Sequence, residues 1–121
     1  MMLTKSTQKG TRGEEEASTY LTSLGYRIIE RNWRKPPYEI DIIALEDNTL
    51  VFVEVKTQFM DTDMTPEEEM SSYKIRALKR GALVYANAHP EFPESLRIDF
   101  VGVRFNKSDS ASFNLIKNIT L

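Results

Sequence analysis

Two apolar runs separated by a short polar segment form the clearest pattern in the chain. Residues 38–45 and 50–58 are rich in β-branched and aliphatic side chains, and residues 46–49 between them are polar. Such runs are typical of strands when turn residues separate them. Asp47-Asn48 is favourable turn chemistry, because both residues tolerate unusual backbone angles. The pattern therefore predicts an antiparallel hairpin whose loop is either residues 47–48 or residues 46–49.

Both loop lengths give the hairpin one register. The opposed pairs are Leu45 with Leu50, Ile43 with Phe52, Asp41 with Glu54, and Glu39 with Lys56. Strand side chains alternate between the two faces of a sheet. One face therefore carries Asp41, Ile43, Leu45, Leu50, Phe52, Glu54, Lys56 and Gln58, and the other carries Ile40, Ile42, Ala44, Val51, Val53 and Val55. Because both faces are apolar near the turn, these strands are predicted to be central in a sheet that is covered on both sides.

Asp41 and Glu54 are the most informative pair in this register. Like charges directly opposite each other destabilise a sheet unless something compensates them, and their Cβ atoms lie about 4.5–5.5 Å apart. A divalent cation between the two carboxylates would compensate them. The alternative is a charged cross-strand cluster of Glu39, Asp41, Glu54 and Lys56 at an exposed sheet end, worth roughly 0–1 kcal/mol per pair.

Two helices are predicted from capping signals. Thr11 and Glu14 fit a capping box, which predicts a helix from Thr11 to about Leu24 that ends at Gly25, after a flexible tail over residues 1–10. Glu14 falls on the inward face of this helix, either as a capping residue or as part of a site.

The second helix is predicted over residues 65–88. Thr65 serves as its cap, Pro66 occupies its first position and Glu68 completes a capping box. Lys74 lies in its inward stripe of small and apolar residues. The segments 26–31, 96–105 and 113–121 read as further strands, residues 32–37 as a basic connector and residues 59–64 as a polar, mobile segment. Helices and strands in this order predict a mixed α/β sandwich.

Composition narrows the function classes. The 121 residues suit one domain over residues 11–121, without cysteine and with one histidine, His89, which is predicted to be structural beside Pro90. Thiolate sites, disulfides and multi-histidine zinc sites are excluded. No apolar run is long enough for a membrane span, and the first residues lack the apolar region of a signal peptide, so a cytoplasmic location is predicted. The net charge of −2 means that any nucleic-acid binding must use a local basic patch.

Asp41 followed by Glu54-Val55-Lys56 on the next strand resembles the PD-(D/E)xK signature of restriction-endonuclease-like nucleases. The wider chain resembles the YraN-type family of predicted endonucleases, which is similar to archaeal Holliday-junction resolvases. Tyr38 departs from the glycine that this family usually has there, and no proline precedes Asp41. The matching pieces cover most of residues 10–105: Gly13-Glu14, Ala17, Leu21, Gly25-Tyr26, Arg31-Asn32, Glu39-Ile40-Asp41, residues 51–56, Lys74, Arg97 and Asp99.

This resemblance implies a restriction-endonuclease-like three-layer α/β core, in which helices flank a mixed central sheet in the order α-β-β-β-α-β, with an extra strand at the C-terminus. It also implies Mg²⁺-dependent hydrolysis of DNA phosphodiester bonds, with Mn²⁺ as a substitute and branched or processed DNA as the substrate class. Because Mg²⁺ prefers oxygen ligands, Asp41, Glu54 and the Val55 carbonyl are its predicted ligands, and Glu14 would bind a second ion or its water shell.

Lys56 and Gln58 complete the predicted catalytic set. Lys56 would orient the attacking water or stabilise charge on the phosphorane, Gln58 would position water or phosphate, and Glu39 would tune Lys56 by pairing with it. Trp33 is predicted to be a packing residue rather than a base-stacking one. The predicted DNA contacts are Arg31, Arg34, Lys35, Lys74, Arg76 and Lys79. A homodimer would enlarge the DNA contact of so small a domain.

A second hypothesis belongs to another class. The chain is then a non-catalytic nucleic-acid-binding or protein-interaction module that retains a nuclease-like scaffold. Intact Asp41, Glu54 and Lys56 favour the enzyme, whereas the pI of about 5.5 favours the module.

Overall fold

Two helices enclose a five-stranded mixed sheet in the computed structural model, which describes residues 5–59 and 70–119, and only the backbone of residues 5–10. The elements are α1 (Lys5–Ser23), β1 (Arg27–Lys35), β2 (Tyr38–Glu46), β3 (Thr49–Phe59), α2 (Ser72–Ala88), β4 (Leu96–Phe105) and β5 (Ala111–Ile116). The strands lie in sequence order across the sheet, and only β3 and β4 are parallel. This architecture confirms the predicted fold class.

Each face of the sheet is covered by one helix. Ala17 and Leu21 of α1 pack on a cluster that includes Val53 of β3, whereas Leu78 and Tyr85 of α2 belong to the cluster on the other face. Burying two apolar faces against two helices gives the three layers that the hydrophobic pattern of the hairpin predicted. The two central strands, β2 and β3, therefore lie between the helices.

The predicted hairpin register is confirmed from the turn to the middle of the strands. Leu45 pairs with Leu50 and Ile43 with Phe52. The loop is the two-residue alternative, and Asp47 adopts a left-handed conformation with φ 52°. The strict alternation of rows stabilises this register, because a slip by one residue would move every apolar side chain to the opposite face.

Ile40 does not follow the predicted alternation. It was expected on the face of Ile42, but it packs with Leu78 and Tyr85 in the α2 cluster. Regular pairing of β2 with β3 ends at Ile42 and Val53. Beyond that point the pairing no longer fixes the orientation of β2 side chains relative to β3. The end of the ladder therefore explains why alternation fails at this position.

Helix α1 begins earlier than the sequence predicts and ends about where the sequence predicts. The helix begins at Lys5, so a start at Thr11 is wrong, as is a tail reaching residue 10; residues 1–4 lie outside the described residues. A capping box favours a helix start but does not prevent the helix from extending further toward the N-terminus. Each residue added to an existing helix forms one more hydrogen bond, which favours this extension. At the other end Gly25 has φ 97°, and N–H groups of Gly25 and Tyr26 donate to the carbonyls of Thr22 and Leu21. This is the Schellman arrangement.

The described part of α2 begins at Ser72. Ser71 is its N-cap in an extended conformation, and its hydroxyl accepts a hydrogen bond from the Lys74 N–H at 3.1 Å. A single helix running without interruption from Thr65 is therefore wrong, because an extended residue breaks the helical hydrogen bonding there. The predicted start at residues 65–68 lies outside the described residues. The same holds for the segment predicted to be mobile, except for Phe59, which belongs to β3.

Two other boundaries also differ from expectation. β1 continues to Lys35, so most of the predicted basic connector is strand, and the turn is Pro36-Pro37. Pairing with β2 extends β1, since Lys35 lies opposite Tyr38. β5 spans Ala111–Ile116 instead of residues 113–121. The Asn106 side chain closes a tight turn before it by accepting N–H groups of Ser108 and Ser110. After it, Asn118 has φ 58° and donates its N–H to the Asp99 side chain instead of to a strand.

The predicted packing roles of Trp33 and His89 are confirmed. Trp33 meets Tyr85 edge to face, with ring centroids 5.4 Å apart. His89 stacks on Tyr85 at 4.0 Å, and its Nδ1 is 2.9 Å from the Tyr85 carbonyl oxygen. In the described ranges, no helix is long and apolar enough to cross a membrane.

Gly13 allows α1 to approach β3 closely. A Cβ built at Gly13 would overlap the Thr57 hydroxyl and lie 2.8 Å from the Thr57 Cβ. We expect Gly13→Ala to destabilise the protein by about 1–3 kcal/mol, the usual cost of overpacking, although alanine is the better helix former. Urea unfolding measures this effect. Thr19→Ala, at an exposed position of α1, is the control and should stay within about 0.5 kcal/mol of wild type. Equal stability of Gly13→Ala and wild type would contradict the close approach.

Candidate functional site

Asp41 lies where the β2–β3 ladder stops. Its carboxylate accepts a hydrogen bond from the Val55 N–H at 2.8 Å, so a side chain supplies the acceptor that a neighbouring strand would otherwise provide. A charge-assisted bond of this kind fixes the orientation of a carboxylate. The predicted opposition of Asp41 and Glu54 is thus realised by side chains in contact rather than by regular strand pairing.

Glu54 points from β3 toward α2. Its side chain is 7% exposed, and one carboxylate oxygen lies 3.3 Å from the Lys74 Nζ. Burial raises the pKa of Glu54 to about 8, and the neighbouring charge of Asp41 and a hydrogen bond with it act in the same direction. Burial lowers the pKa of Lys74, but the charge of Glu54, its hydrogen bond and the charges of Asp41 and Glu39 together outweigh burial, so the pKa is raised. The inward orientation predicted for Lys74 is confirmed.

Glu14 contacts Asp41 from helix α1, which packs on the sheet face opposite α2. The pKa of Glu14 is raised to about 7, chiefly by burial and then by the charge of Asp41, while the charge of Arg31 and a hydrogen bond with Asn32 oppose the rise. The Glu14 side chain also shares a hydrogen bond with Asp41. Because Glu14 follows Gly13, the close packing of α1 on β3 holds it beside the hairpin. Of the two interpretations of Glu14, helix capping is wrong, since α1 begins at Lys5. Its side chain contacts Asp41, and its role in a functional site stays a prediction.

We call Glu14, Asp41 and Glu54 the carboxylate cluster. Asp41 contacts both of the others, and each contact raises the pKa of the acid next to it. Adjacent carboxylates repel one another until a proton or a cation compensates them. The donor set is oxygen only, as Mg²⁺ prefers.

The carboxylate cluster would not enclose an ion by side chains alone. Among residues 5–59 and 70–119, no three His, Cys, Asp or Glu side chains are arranged so that they could hold a metal. Mg²⁺ sites commonly use one or two carboxylates and keep several waters. Asp41 and Glu54 supply two carboxylates in contact, and a ligand role for them and for the Val55 carbonyl stays a prediction.

Lys56 and Gln58 differ in their surroundings. Lys56 is half-buried and lies opposite Gly102 of β4. Gln58 is buried, and its side-chain oxygen accepts a hydrogen bond from Arg104 at 3.1 Å. Gln58 is thus held within the sheet, and its role toward water or phosphate stays a prediction.

Glu39 does not pair with Lys56 as the register predicted. It forms an ion pair with Arg34 of β1 at 2.9 Å, because the two residues lie opposite each other in the β1–β2 ladder. Regular pairing of β2 and β3 has already ended at this point, so the expected opposition to Lys56 is lost.

A cleft of about 380 Å³ opens beside the cluster. Glu14 and Asp41 lie in its wall, and the remaining lining residues come from β1 and β2: Asn32, Trp33, Arg34, Glu39 and Ile40. Predominantly polar lining and access to two acids suit a charged, hydrated ligand.

The six predicted DNA contacts fall into two groups. Three of them lie near acids. The charge of Arg31 lowers the pKa of Glu14. Arg34 forms an ion pair with Glu39, and Lys74 forms one with Glu54. The other three are exposed and have no ion pair with a described residue: Lys35 at the end of β1, and Arg76 and Lys79 on α2.

Asn32 is a site residue that the sequence did not single out. Its side chain hydrogen-bonds Glu14, and its backbone has φ 55°. Asparagine is among the few residues that tolerate this conformation. A polar residue able to break a strand, directly after Arg31, was the available signal.

A second polar network occupies another part of the sheet. The buried Asp99 accepts hydrogen bonds from the Tyr26 hydroxyl at 2.7 Å, from Arg97 and from the Asn118 N–H. Arg97 also reaches Glu46, next to the hairpin turn. Every partner is hydrogen-bonded, so this network is structural and ties the C-terminal segment to β4.

Stability without metal should fall as the pH rises from about 5 to about 8. Glu14 and Glu54 bind protons more tightly in the folded chain than at their unfolded value of 4.5, so the folded state loses stability as they ionise. Each pKa unit corresponds to about 1.4 kcal/mol. We expect Glu54→Gln to reduce the dependence of the unfolding free energy on pH, measured by urea unfolding in EDTA, because glutamine does not titrate. The fold should be retained, since the amide oxygen can still accept a hydrogen bond from Lys74. Glu16→Gln, at an exposed position, should keep this dependence. A wild-type protein that is more stable at pH 8 would contradict the account.

Comparison with known proteins places the chain among close relatives. The model of "Uncharacterised protein family UPF0102" matches residues 13–103, which include the whole carboxylate cluster and Lys56. A UPF0102 protein of Caldicellulosiruptor saccharolyticus is 42% identical over 90% of this chain and 93% of its own. Relatives of the same description occur in Syntrophomonas wolfei, 38% identical over 78% of this chain and 82% of its own, and in Clavibacter michiganensis, 34% identical over 96% and 98%.

Proposed function

The chain belongs to the uncharacterised protein family UPF0102, and from its site we propose that it is a metal-dependent endonuclease that hydrolyses DNA phosphodiester bonds. One observation carries the proposal: Asp41 contacts two other carboxylates at the end of a strand ladder. One is Glu14 of helix α1, and the other is Glu54 of the neighbouring strand β3. Such a cluster is costly to a fold unless a ligand uses it.

Mg²⁺ or Mn²⁺ is the proposed cofactor. Asp41, Glu54 and the Val55 carbonyl would hold the ion, and Glu14 would hold a second ion or its waters. A bound ion would lower the pKa of its water and offset negative charge on the phosphate. The Val55 N–H keeps the Asp41 carboxylate oriented in the absence of the ion, which lowers the cost of assembling the site.

Lys56 is the proposed catalytic cation. It follows Glu54 by two residues on β3, so both side chains lie on the same face of the strand. It would orient the attacking water or stabilise charge that develops on the phosphorus oxygens. Lys74, in contrast, already forms an ion pair with Glu54, and we assign it the role of holding that carboxylate in place.

A second candidate function is a non-catalytic nucleic-acid-binding module. Two observations favour it: no three-ligand metal arrangement occurs among the described residues, and Lys74 already compensates Glu54 in part. In this case the exposed cations of α2 would bind phosphates, and Glu14 and Glu54 would stay protonated. A cytoplasmic location and a homodimer stay predictions under either function.

A cleavage assay over several nucleic acids tests the proposal. Labelled single-stranded, duplex, flap and four-way-junction DNA would be incubated with the wild-type chain in Mn²⁺, in Mg²⁺ and in EDTA. We expect metal-dependent products from at least one structure and none in EDTA. Glu54→Gln should remove the products, whereas the exposed Glu16→Gln should not. Binding of all the DNA forms without cleavage would reject the enzyme and support the module.

A further inference from the structure

Among the described residues, the most exposed large hydrophobic side chain is an aromatic ring near the proposed site. Tyr73, in the first turn of α2, is 77% exposed. The next residue, Lys74, is partly buried and pairs with Glu54. Tyr73 therefore lies on the solvent side of the same turn that contacts the carboxylate cluster.

Two arginines share the surface of Tyr73. Arg76 and Arg80 follow Tyr73 by three and seven residues, so all three side chains lie on one face of α2. Both arginines are exposed, and neither forms an ion pair with a described residue. An aromatic ring with two guanidinium groups is typical of surfaces that bind phosphates and unstacked bases.

Two adjoining clefts connect this face with the site. One, of about 130 Å³, is lined by residues that include Tyr73, Arg76 and Arg80 together with Tyr38. The other, of about 170 Å³, shares Tyr38 and Tyr73 and continues to Glu39 and Lys74. Tyr38 packs closely on α2, since a Cβ added at Gly81 would lie 3.3 Å from the Cβ of Tyr38. The two clefts therefore adjoin at Tyr38 and Tyr73, and the second one reaches Lys74, which pairs with Glu54.

We propose that Tyr73, Arg76 and Arg80 bind an unpaired strand of nucleic acid, with a base stacked on Tyr73 and phosphates on the two arginines. The strand would lead into the proposed nuclease site, and to that extent the inference rests on the proposed function. Duplex DNA could contact the arginines through its phosphates but would leave Tyr73 unused, because its bases are already stacked on one another. The substrate class is therefore DNA with a single-stranded segment.

Fluorescence anisotropy in EDTA tests the surface without any cleavage. The probe is a fluorescein-labelled oligothymidylate of about 15 nucleotides, near the upper site size of small single-strand binders. We expect Tyr73→Ala to weaken binding about tenfold and Tyr73→Phe to preserve it, because stacking needs the ring and not the hydroxyl. Leu83→Ala, which truncates another exposed side chain of α2, is the control and should bind as wild type.

An abasic oligonucleotide of equal length separates stacking from charge. Tyr73→Ala should bind it as wild type does, since no base is present to stack. Arg80→Gln should weaken binding of both oligonucleotides and reduce the salt dependence. Thermal melts should show all variants folded, as each change is on an exposed side chain.

Three results would overturn the inference. They are unchanged oligothymidylate binding by Tyr73→Ala, an equal loss for the abasic strand, and competition by polyglutamate as strong as by oligothymidylate, which would assign the surface to acidic polypeptides. Failure of the proposed function is distinct from these. Intact single-strand binding without metal-dependent cleavage rejects the nuclease, whereas cleavage that is indifferent to Tyr73→Ala rejects this path.

Discussion

Asp41→Asn is expected to lower the rate of Mn²⁺-dependent DNA cleavage by about a thousandfold. Asparagine has the same shape, and its side-chain oxygen still accepts from the Val55 N–H, so the fold should survive. What is lost is the negative charge that would hold the ion. A bound ion supplies several kcal/mol of transition-state stabilisation, and each 1.36 kcal/mol corresponds to a factor of ten in rate.

The matched control for this variant is Asp47→Asn. Asp47 is an exposed acid in the turn of the same hairpin, away from the carboxylate cluster. It should cleave at the wild-type rate in a gel-based assay with labelled DNA. If Asp41→Asn kept more than about a tenth of the wild-type rate, Asp41 would not be a ligand of the catalytic ion.

Lys56→Met should lower cleavage by about a hundredfold or more while it leaves metal binding intact. Methionine replaces the aliphatic stem but removes the charge that would act on the water or the phosphate, and loss of one preorganised group of this kind typically costs about 10²–10³ in rate. Lys56 is half-buried, lies two residues after Glu54 on β3 and is not among the proposed metal ligands. The variant should therefore separate catalysis from ion binding.

Two measurements are needed for Lys56→Met: the cleavage rate, and the rise in melting temperature on addition of Mn²⁺. Lys107→Met, in the exposed turn between β4 and β5, is the control and should match wild type in both. A Lys56→Met protein that cleaves normally would remove Lys56 from the mechanism. A variant that also loses the thermal response would assign Lys56 to the integrity of the site instead.

The hairpin was predictable because its chemistry is local. Turn residues at 47–48 and alternating apolar positions fix the pairing of Ile43 with Phe52, and no distant contact is needed to choose it. The same locality explains why Lys74 could be placed facing inward, since one helix face decides its direction. These two features already indicate the core of the site.

Other features depend on tertiary contacts that no local pattern contains. Ile40 changes face because the ladder ends beside it, and Asp41 takes the Val55 N–H for the same reason. Asn32 reaches Glu14 only when α1 packs on the sheet. The pairing of Glu39 with Arg34 requires that β1 extend to Lys35. The two prolines at 36–37 indicated a longer connector and therefore a shorter strand.

Equilibrium binding of Mn²⁺, followed by the electron paramagnetic resonance signal of the free ion, tests the central claim most directly. The claim is that the carboxylate cluster holds a divalent ion through Asp41. The account predicts saturable binding by the wild-type chain that strengthens as the pH rises from about 6 to about 8, because the ion must displace the protons of Glu14 and Glu54. Asp41→Asn should show none of this binding. Equal binding by wild type and Asp41→Asn, or no binding by either, would contradict it.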